Sequence, residues 1–338
     1  PVRAEVAAIG EFLCAVRIEE PEADAEELHD LAGIVLIGEA VGTVGLADGD
    51  AEIGRRHDRL YLVGGSWRAF ARIDMERRRY PMTVLHEYRM TPVEVQATVN
   101  FIGRHSVAEL RAMTGIGQER MALIHVAARV LSRVVQTLEP KEIDISSYGI
   151  REGLLFEQMP DQLRRRDPLI EACRHAETTS ARMPGFGKKL YSFILPLYAD
   201  ATPGRLRLVK AACLLHDTSW RAHPDYRAEL CFDNATRANL GGLSHQERVF
   251  LGLSLLHRYK NSRAGTRLEP LFALLSEDEI LAAEVLGKAM RFGAMFSIQS
   301  PGDAGELRWN AGVRVLELVL NPATEPLFGE VARARFLS

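Results

Sequence analysis

Nothing in these 338 residues offers a covalent or metallic staple. There are four cysteines, Cys14, Cys173, Cys213 and Cys231, and no two form a CxxC pair. That spacing argues against a disulfide framework or a zinc cluster and predicts buried free thiols in a reducing compartment. No apolar run reaches the roughly 18 residues that a membrane span needs. The start lacks the charged, apolar and small-residue order of a signal peptide. A cytoplasmic protein with no membrane partner is therefore expected. The formal net charge is only −3, so no global field recruits DNA or an acidic membrane, and any anion site must be a local arrangement. Internal repeats and low-complexity tracts are also missing.

What is present is an ordinary globular mix, with 47% hydrophobic and 26% charged residues, enough for a sizeable core. The length suggests two or three domains. Residues 1–57 form a segment of uncertain character. It holds an acidic stretch from Glu19 to Asp30, then Ile34-Val35-Leu36-Ile37 and a glycine-dotted run to Gly45, a candidate strand pair. From Leu60 the signals sharpen. Leu60-Tyr61-Leu62-Val63 reads as a buried strand leaving into Gly64-Gly65-Ser66, with Ser66 as helix cap and Gly65 as the residue needing a positive φ. Trp67, Phe70, Ala71, Asp74 and Met75 follow at helical spacing, and Arg77, Arg78 and Arg79 are expected to face solvent. Thr91-Pro92 and Ser106 open two more helices. Residues 118–138 are expected to form one long amphipathic helix, stopped by Glu139-Pro140. Glu142 to Ser146 is a strand, Ser147-Tyr148-Gly149 a turn, and Arg151 lies in the next helix start.

This alternation predicts an α/β layer over 58–160. Beyond Pro160 the pattern is helical to about residue 300, broken at Asp167-Pro168, Pro184-Gly185, Pro203-Gly204 and Gly241-Gly242. A separate helical domain over 161–300 is expected, followed by a strand and helix extension over 301–338.

Three constellations carry candidate chemistry. Gly64-Gly65-Ser66 places bare backbone N–H groups at a helix start, where phosphate binds well; a ligand-free tight turn explains the same residues equally well. Arg68 and Arg72 lie one helical turn apart nearby. Ser147, Gly149 and Arg151 make a second strand-to-helix turn, and both turns could occupy the end of a sheet where α/β folds bind ligands. His216-Asp217 is similar to the pair in metal-dependent HD phosphohydrolases, with His175, His245 and His257 as further candidate ligands; a structural or anion-facing role is preferred. Arg164–Arg166, Lys188, Lys189, Arg205, Arg207, Lys210, Arg258, Lys260 and Arg263 read as solvated faces, or as a polyanion channel if they converge.

Several long stretches resemble the Ppx/GppA family of exopolyphosphatases and guanosine-pentaphosphate phosphohydrolases. They are LYLVGGSWRAFARIDMERRRYPMTVLHEYRMTPVE at 60–94, IDISSYGIREGLLFEQMP at 143–160, and LLHDTSWRAHPDYRAEL with LSHQERVFLGLSLLHRYK further on. The resemblance implies a partial acetate- and sugar-kinase/Hsp70/actin-like (ribonuclease H-like) domain followed by an HD-like helical domain. It implies release of terminal phosphate from inorganic polyphosphate or pppGpp with Mg2+, a homodimer being left open. Gly64, Gly65 and Ser66 match a cleft loop; Ser147, Gly149, Arg151 and Glu152 match the turn closing that domain. The family's two other phosphate loops, of Asp-Ile-Gly-Ser-Asn-Ser and Asp-Gly-Gly-Gly-Ser type, have no counterpart here. With the chain beginning at Pro1, a chain truncated or rearranged at its N-terminus is expected, its water-activating glutamate lying upstream. The remaining alternatives are a non-catalytic polyphosphate- or nucleotide-binding remnant, or an HD-type metal hydrolase using His216 and Asp217.

Overall fold

A computed structural model describes residues 4–9, 13–18, 33–37, 58–310, 312–313 and 315–337, the first three stretches as backbone strands only. The acidic stretch 19–30 and the glycine run 38–45 lie outside the described residues. The chain divides into two compact units, Pro1–Pro160 and Asp161–Ser338.

The first unit is a sheet with helices. Strands β1 (Ala4–Ile9), β2 (Leu13–Ile18) and β3 (Gly33–Ile37) are joined to β4 (Arg59–Val63), β5 (Tyr88–Met90) and β6 (Glu142–Ser146). The order is β1-β2-β3-β4-β6-β5. The β1–β2, β2–β3 and β5–β6 pairs are antiparallel, while β3–β4 and β4–β6 are parallel. Parallel neighbours need a crossover. Five helices supply the one from β4 to β6, with β5 among them: α1 (Gly65–Arg78), α2 (Pro92–Gly103), α3 (Val107–Thr114), α4 (Gln118–Met121) and α5 (Ile124–Leu138). α6 (Ile150–Glu157) follows β6.

Local chemistry explains the helix starts. Thr91 and Glu94 form a reciprocal capping box on α2, as do Ser106 and Glu109 on α3, each satisfying two otherwise orphaned amides. The expected single helix over 118–138 is instead two, broken at Ala122-Leu123. The break lets Met121 and Ile124, both fully buried, reach one core with Trp67, Phe70 and Tyr88. Between residues 82 and 88 only Tyr88 is in a strand.

A buried carboxylate ties these layers together. Asp74 on α1 is fully enclosed. It accepts hydrogen bonds from Tyr88 Oη (2.6 Å), Thr98 Oγ1 (2.5 Å) and Arg77 Nη2 (2.8 Å), and Arg78 reaches it at 3.5 Å while pairing with Glu94 at 2.8 Å. Arg77 is thus half-buried rather than solvent-facing, because a buried charge must be paired, while Arg78 and Arg79 are exposed as expected, Arg78 reaching back to Asp74 with its guanidinium. Burial and the neighbouring Asp74 charge push the Tyr88 hydroxyl far above its usual range, so it stays a donor.

The second unit is helical. Its main helices are α7 (Asp161–Arg164), α8 (Pro168–Ser180), α9 (Phe186–Ile194), α10 (Pro203–Leu215), α11 (Pro224–Arg237), α12 (His245–His257), α13 (Glu269–Phe272) and α14 (Glu277–Phe296). All residues of α12 except Gln246 and Glu247 are buried, and it packs against α10, α11 and α14. α14 comes so close that a Cβ on Gly287 would lie 2.4 Å from His257 Cβ and 2.5 Å from Ser254 O. α15 (Pro301–Ala304) leads into an antiparallel hairpin, β7 (Gly305–Asn310) with β8 (Val315–Leu320), and α16 (Glu330–Phe336) ends the unit. The extension expected over 301–338 holds one strand, β8, as anticipated, and a second, β7, that was not. Cys173, Cys213 and Cys231 are buried free thiols, the first pushed up to about 12 and the last to about 11 by burial. Among the described residues no helix is long and apolar enough to cross a membrane.

Replacing Asp74 by Ala strands two guanidiniums and two hydroxyls around one void. A loss of about 3 kcal/mol is expected, read as a lower urea midpoint at unchanged m-value. A change below about 0.5 kcal/mol would show that the network carries no weight.

Candidate phosphate-binding turns

The two strand-to-helix turns lie side by side. β4 and β6 run parallel with Val63 opposite Ser146, so Gly64 and Ser147 leave the sheet at the same end. That is the end at which open α/β sheets bind ligands.

The first turn depends on Gly64 rather than Gly65. Gly64 has φ 141°, a conformation that side chains rarely allow. Gly65 is already helical, and a Cβ there would meet nothing within 4 Å. Ser66 lies inside the first turn and is not the cap, because α1 has no side-chain cap. The first turn also lacks an acidic residue. The first intrahelical bond runs from Arg68 N–H to Gly64 O at 3.2 Å. The amides of Gly65, Ser66 and Trp67 precede it and have no carbonyl within the helix to receive them. Arg68 Nε also donates to Gly64 O (3.2 Å), pinning this side chain over the turn. Arg72 instead donates to Thr83 O at 2.9 Å, which turns it to the loop.

The second turn is closed by its own side chains. Tyr148 N donates to Ser146 Oγ (3.0 Å) and Ser147 N to His86 Nδ1 (3.3 Å). The His86 ring packs on Tyr148, with centroids 4.6 Å apart. Gly149 N donates to Glu152 Oε2 at 2.6 Å, so a protein carboxylate already occupies the start of α6. Hydrogen bonds from the Gly149 amide and then its own amide hold the Glu152 carboxyl below the usual range, with Arg151 and Arg68 adding to the effect. Arg68 and Arg151 therefore stand in one electrostatic neighbourhood, although each is supplied by a different turn. Gly149 is extended, at φ −141°, and is not required as glycine by its conformation. Ser147 and Arg151 are exposed. His86 escaped sequence reading, since a lone histidine in a coil carries no local signal.

His216 and Asp217 sit in the second unit in a different environment. Both are buried. Arg182 forks both Asp217 oxygens, Nε to Oδ2 at 2.8 Å and Nη2 to Oδ1 at 2.7 Å. His216 Nδ1 is hydrogen-bonded to Cys213 O at 2.8 Å. Burial, and then the Arg258 charge, depress the imidazole to about 4. His175 is exposed, and His257 Nδ1 is engaged with Lys260 O. Among the described residues no three His, Cys, Asp or Glu side chains converge as a metal site. Of the basic clusters, Arg166, Arg207 and Lys210 do meet at a cavity of about 390 Å³, but Asp167 and Glu171 share it. Arg207 pairs with Asp167 and Arg166 with Glu171.

The depressed His216 gives a pH signature. Its folded pKa of about 4 lies below the unfolded value near 6.5. Between those values the unfolded chain binds more protons, so stability rises with pH across this window and is lost as pH falls. His216→Gln is expected to flatten the dependence of the urea midpoint between pH 4 and 6.5. An unaltered slope would mean that His216 is not buried neutral.

Comparison with known proteins supplies the family. Residues 51–162 match the family model described as Ppx/GppA phosphatase family, and residues 163–337, over half of the chain, match the one described as Exopolyphosphatase, C-terminal. A similar solved structure, from a structural study of the Aquifex aeolicus PPX-GPPA enzyme, is 16% identical with a TM-score of 0.26. That match covers 32% of this chain and only 36% of the other. No curated protein sequence matches. Two adjoining family models thus account for 51–337, and the chain belongs to the Ppx/GppA phosphatase family.

Proposed function

We propose that this chain serves phosphohydrolysis of the exopolyphosphatase or guanosine-pentaphosphate type, and that its part is to cradle the phosphates of inorganic polyphosphate or pppGpp at the end of β4 and β6. The observation that carries this reading is the open start of α1. It combines Gly64 at φ 141° with no side-chain cap and no acidic residue, beside Arg68 and Arg151. Backbone amides at a helix start bind phosphate oxygens, and guanidiniums add charge-assisted hydrogen bonds. Phosphoryl transfer depends mainly on such positioning and electrostatics.

Magnesium, expected by resemblance, does not fit a protein-built cage among the described residues. Near these turns Glu152 is spent on the Gly149 amide, and Asp144 is held by Arg59 and Arg89. The same engagement makes Glu152 a weak general base. This favours, as a second reading, a chain that binds the polyanion without turning it over.

Gly65→Val tests the cradle, because Gly65 has open space and no special φ, and a folded variant is expected. Calorimetric titration with polyphosphate should show salt-sensitive binding, weakened about tenfold by the substitution at unchanged melting temperature. Equal affinity in the folded variant would reduce the turn to a structural one. In parallel, phosphate release from polyphosphate and pppGpp with magnesium is expected to be slow. Brisk release abolished by Glu152→Gln would instead make Glu152 the base and defeat the binding-only reading.

A further inference from the structure

The helical side of the first unit holds a second hollow, about 590 Å³ in volume, between the C-terminal half of α2 and the N-terminal half of α5. Its size lies in the range of small-molecule sites. The floor is apolar: Ile102 and Ala128 are buried, and Val99 packs beside them. The rim is cationic, with Arg104 at the end of α2 and Arg129 on α5. Both are exposed, and neither guanidinium makes a hydrogen bond or ion pair with a described residue. No aspartate or glutamate lines the cavity.

The surrounding groups bring no negative side chain to this rim. The negative end of α2 is already occupied, because Phe101 O accepts Arg104 N (3.1 Å) and is bonded to His105 Nδ1 (2.8 Å). His125 Nε2 is bonded to His105 O at 3.0 Å, which fixes the ring as a donor there and leaves Nδ1 unbonded. α5 begins with no side-chain cap and no acidic residue in its first turn, so no carboxylate from that turn opposes the two guanidiniums. A cation-rimmed, carboxylate-free cavity with an apolar floor suits a ligand that is itself divided between a flat apolar body and an anionic tip.

We propose that this cavity binds a small organic phosphate of the nucleoside-monophosphate class. The phosphate is shared by Arg104 and Arg129, and the ring lies on Val99, Ile102 and Ala128. Asn100 on the rim offers both a donor and an acceptor to the ring or the sugar. Paired guanidiniums are the usual means of holding a phosphate. The site is distinct from the Gly64 turn and does not rely on it.

Calorimetric titration of the full chain with adenosine 5′-monophosphate, adenosine and inorganic phosphate tests the assignment. The monophosphate is expected to bind one saturable site with a Kd of about 1 mM or tighter. Adenosine and inorganic phosphate should each bind at least about tenfold more weakly, since each lacks one half of the recognition. The double variant Arg104→Ala/Arg129→Ala should lose about tenfold or more in affinity while keeping its melting temperature, because both side chains are exposed. Gly65→Val should bind the monophosphate as the wild type does. No saturable binding, equal binding by the double variant, or inorganic phosphate binding as tightly as the monophosphate would overturn the proposal. Loss of monophosphate binding in Gly65→Val would also overturn it, by placing the ligand at the other site.

Discussion

Arg59, Arg89 and Asp144 stand side by side on β4, β5 and β6. The Asp144 carboxylate is 1% exposed, with Arg59 Nε at 3.2 Å from one oxygen and Arg89 Nε at 2.9 Å from the other. Burial pushes its carboxyl up, and the two guanidiniums oppose that shift. Strand side chains alternate between faces, so slipping β6 by one residue would carry Asp144 to the opposite face and leave it unpaired. The pairing therefore selects the register that sets Val63 against Ser146. Both strand-to-helix turns inherit their positions from that register.

The two turns then diverge in chemistry for a simple reason. α6 carries an acid at its third position, and Glu152 bends back to the Gly149 amide. α1 carries Arg68 near the corresponding place and nothing negative, so its first-turn amides face outward with a guanidinium beside them. One helix start is neutralised from within, and the other carries no acidic group or side-chain cap of its own. Glu152 also keeps Arg68 and Arg151 in a common field.

Legibility in the sequence followed locality. Strand, glycine turn and helix around Val63–Trp67 could be read because each signal lies within a few residues. Thr91 and Ser106 marked helix starts for the same reason, since a capping box spans four positions. Ser66 misled because Gly-Gly-Ser contains two plausible caps, and the choice rests on the φ of Gly64, which the sequence leaves open. Arg77 looked solvent-facing because the carboxylate it serves is buried by Tyr88 and Thr98, which come from other elements. The break at Ala122-Leu123 lies among good helix formers and answers to packing, not propensity. The hollow between α2 and α5 is made by residues about 25 positions apart and has no linear signature.

His216-Asp217 shows how far a dipeptide can be trusted. The same two side chains would serve a metal if both Asp217 oxygens and an imidazole nitrogen were free. Arg182 takes both oxygens in a fork geometry that no cation displaces cheaply. Arg258, itself 9% exposed, adds a second positive charge at the spot. Its own guanidinium is driven below the usual range mainly by burial. A divalent ion would enter against two guanidiniums and gain only a neutral imidazole. The pair instead anchors the end of α10: Tyr259 Oη donates to His216 O at 2.9 Å, and the Arg182–Asp217 bridge ties the residues before α9 to the residues after α10. What decides between a metal centre and a structural lock is thus the charge brought by residues 34 positions before and 42 after His216, and the dipeptide itself is silent on both.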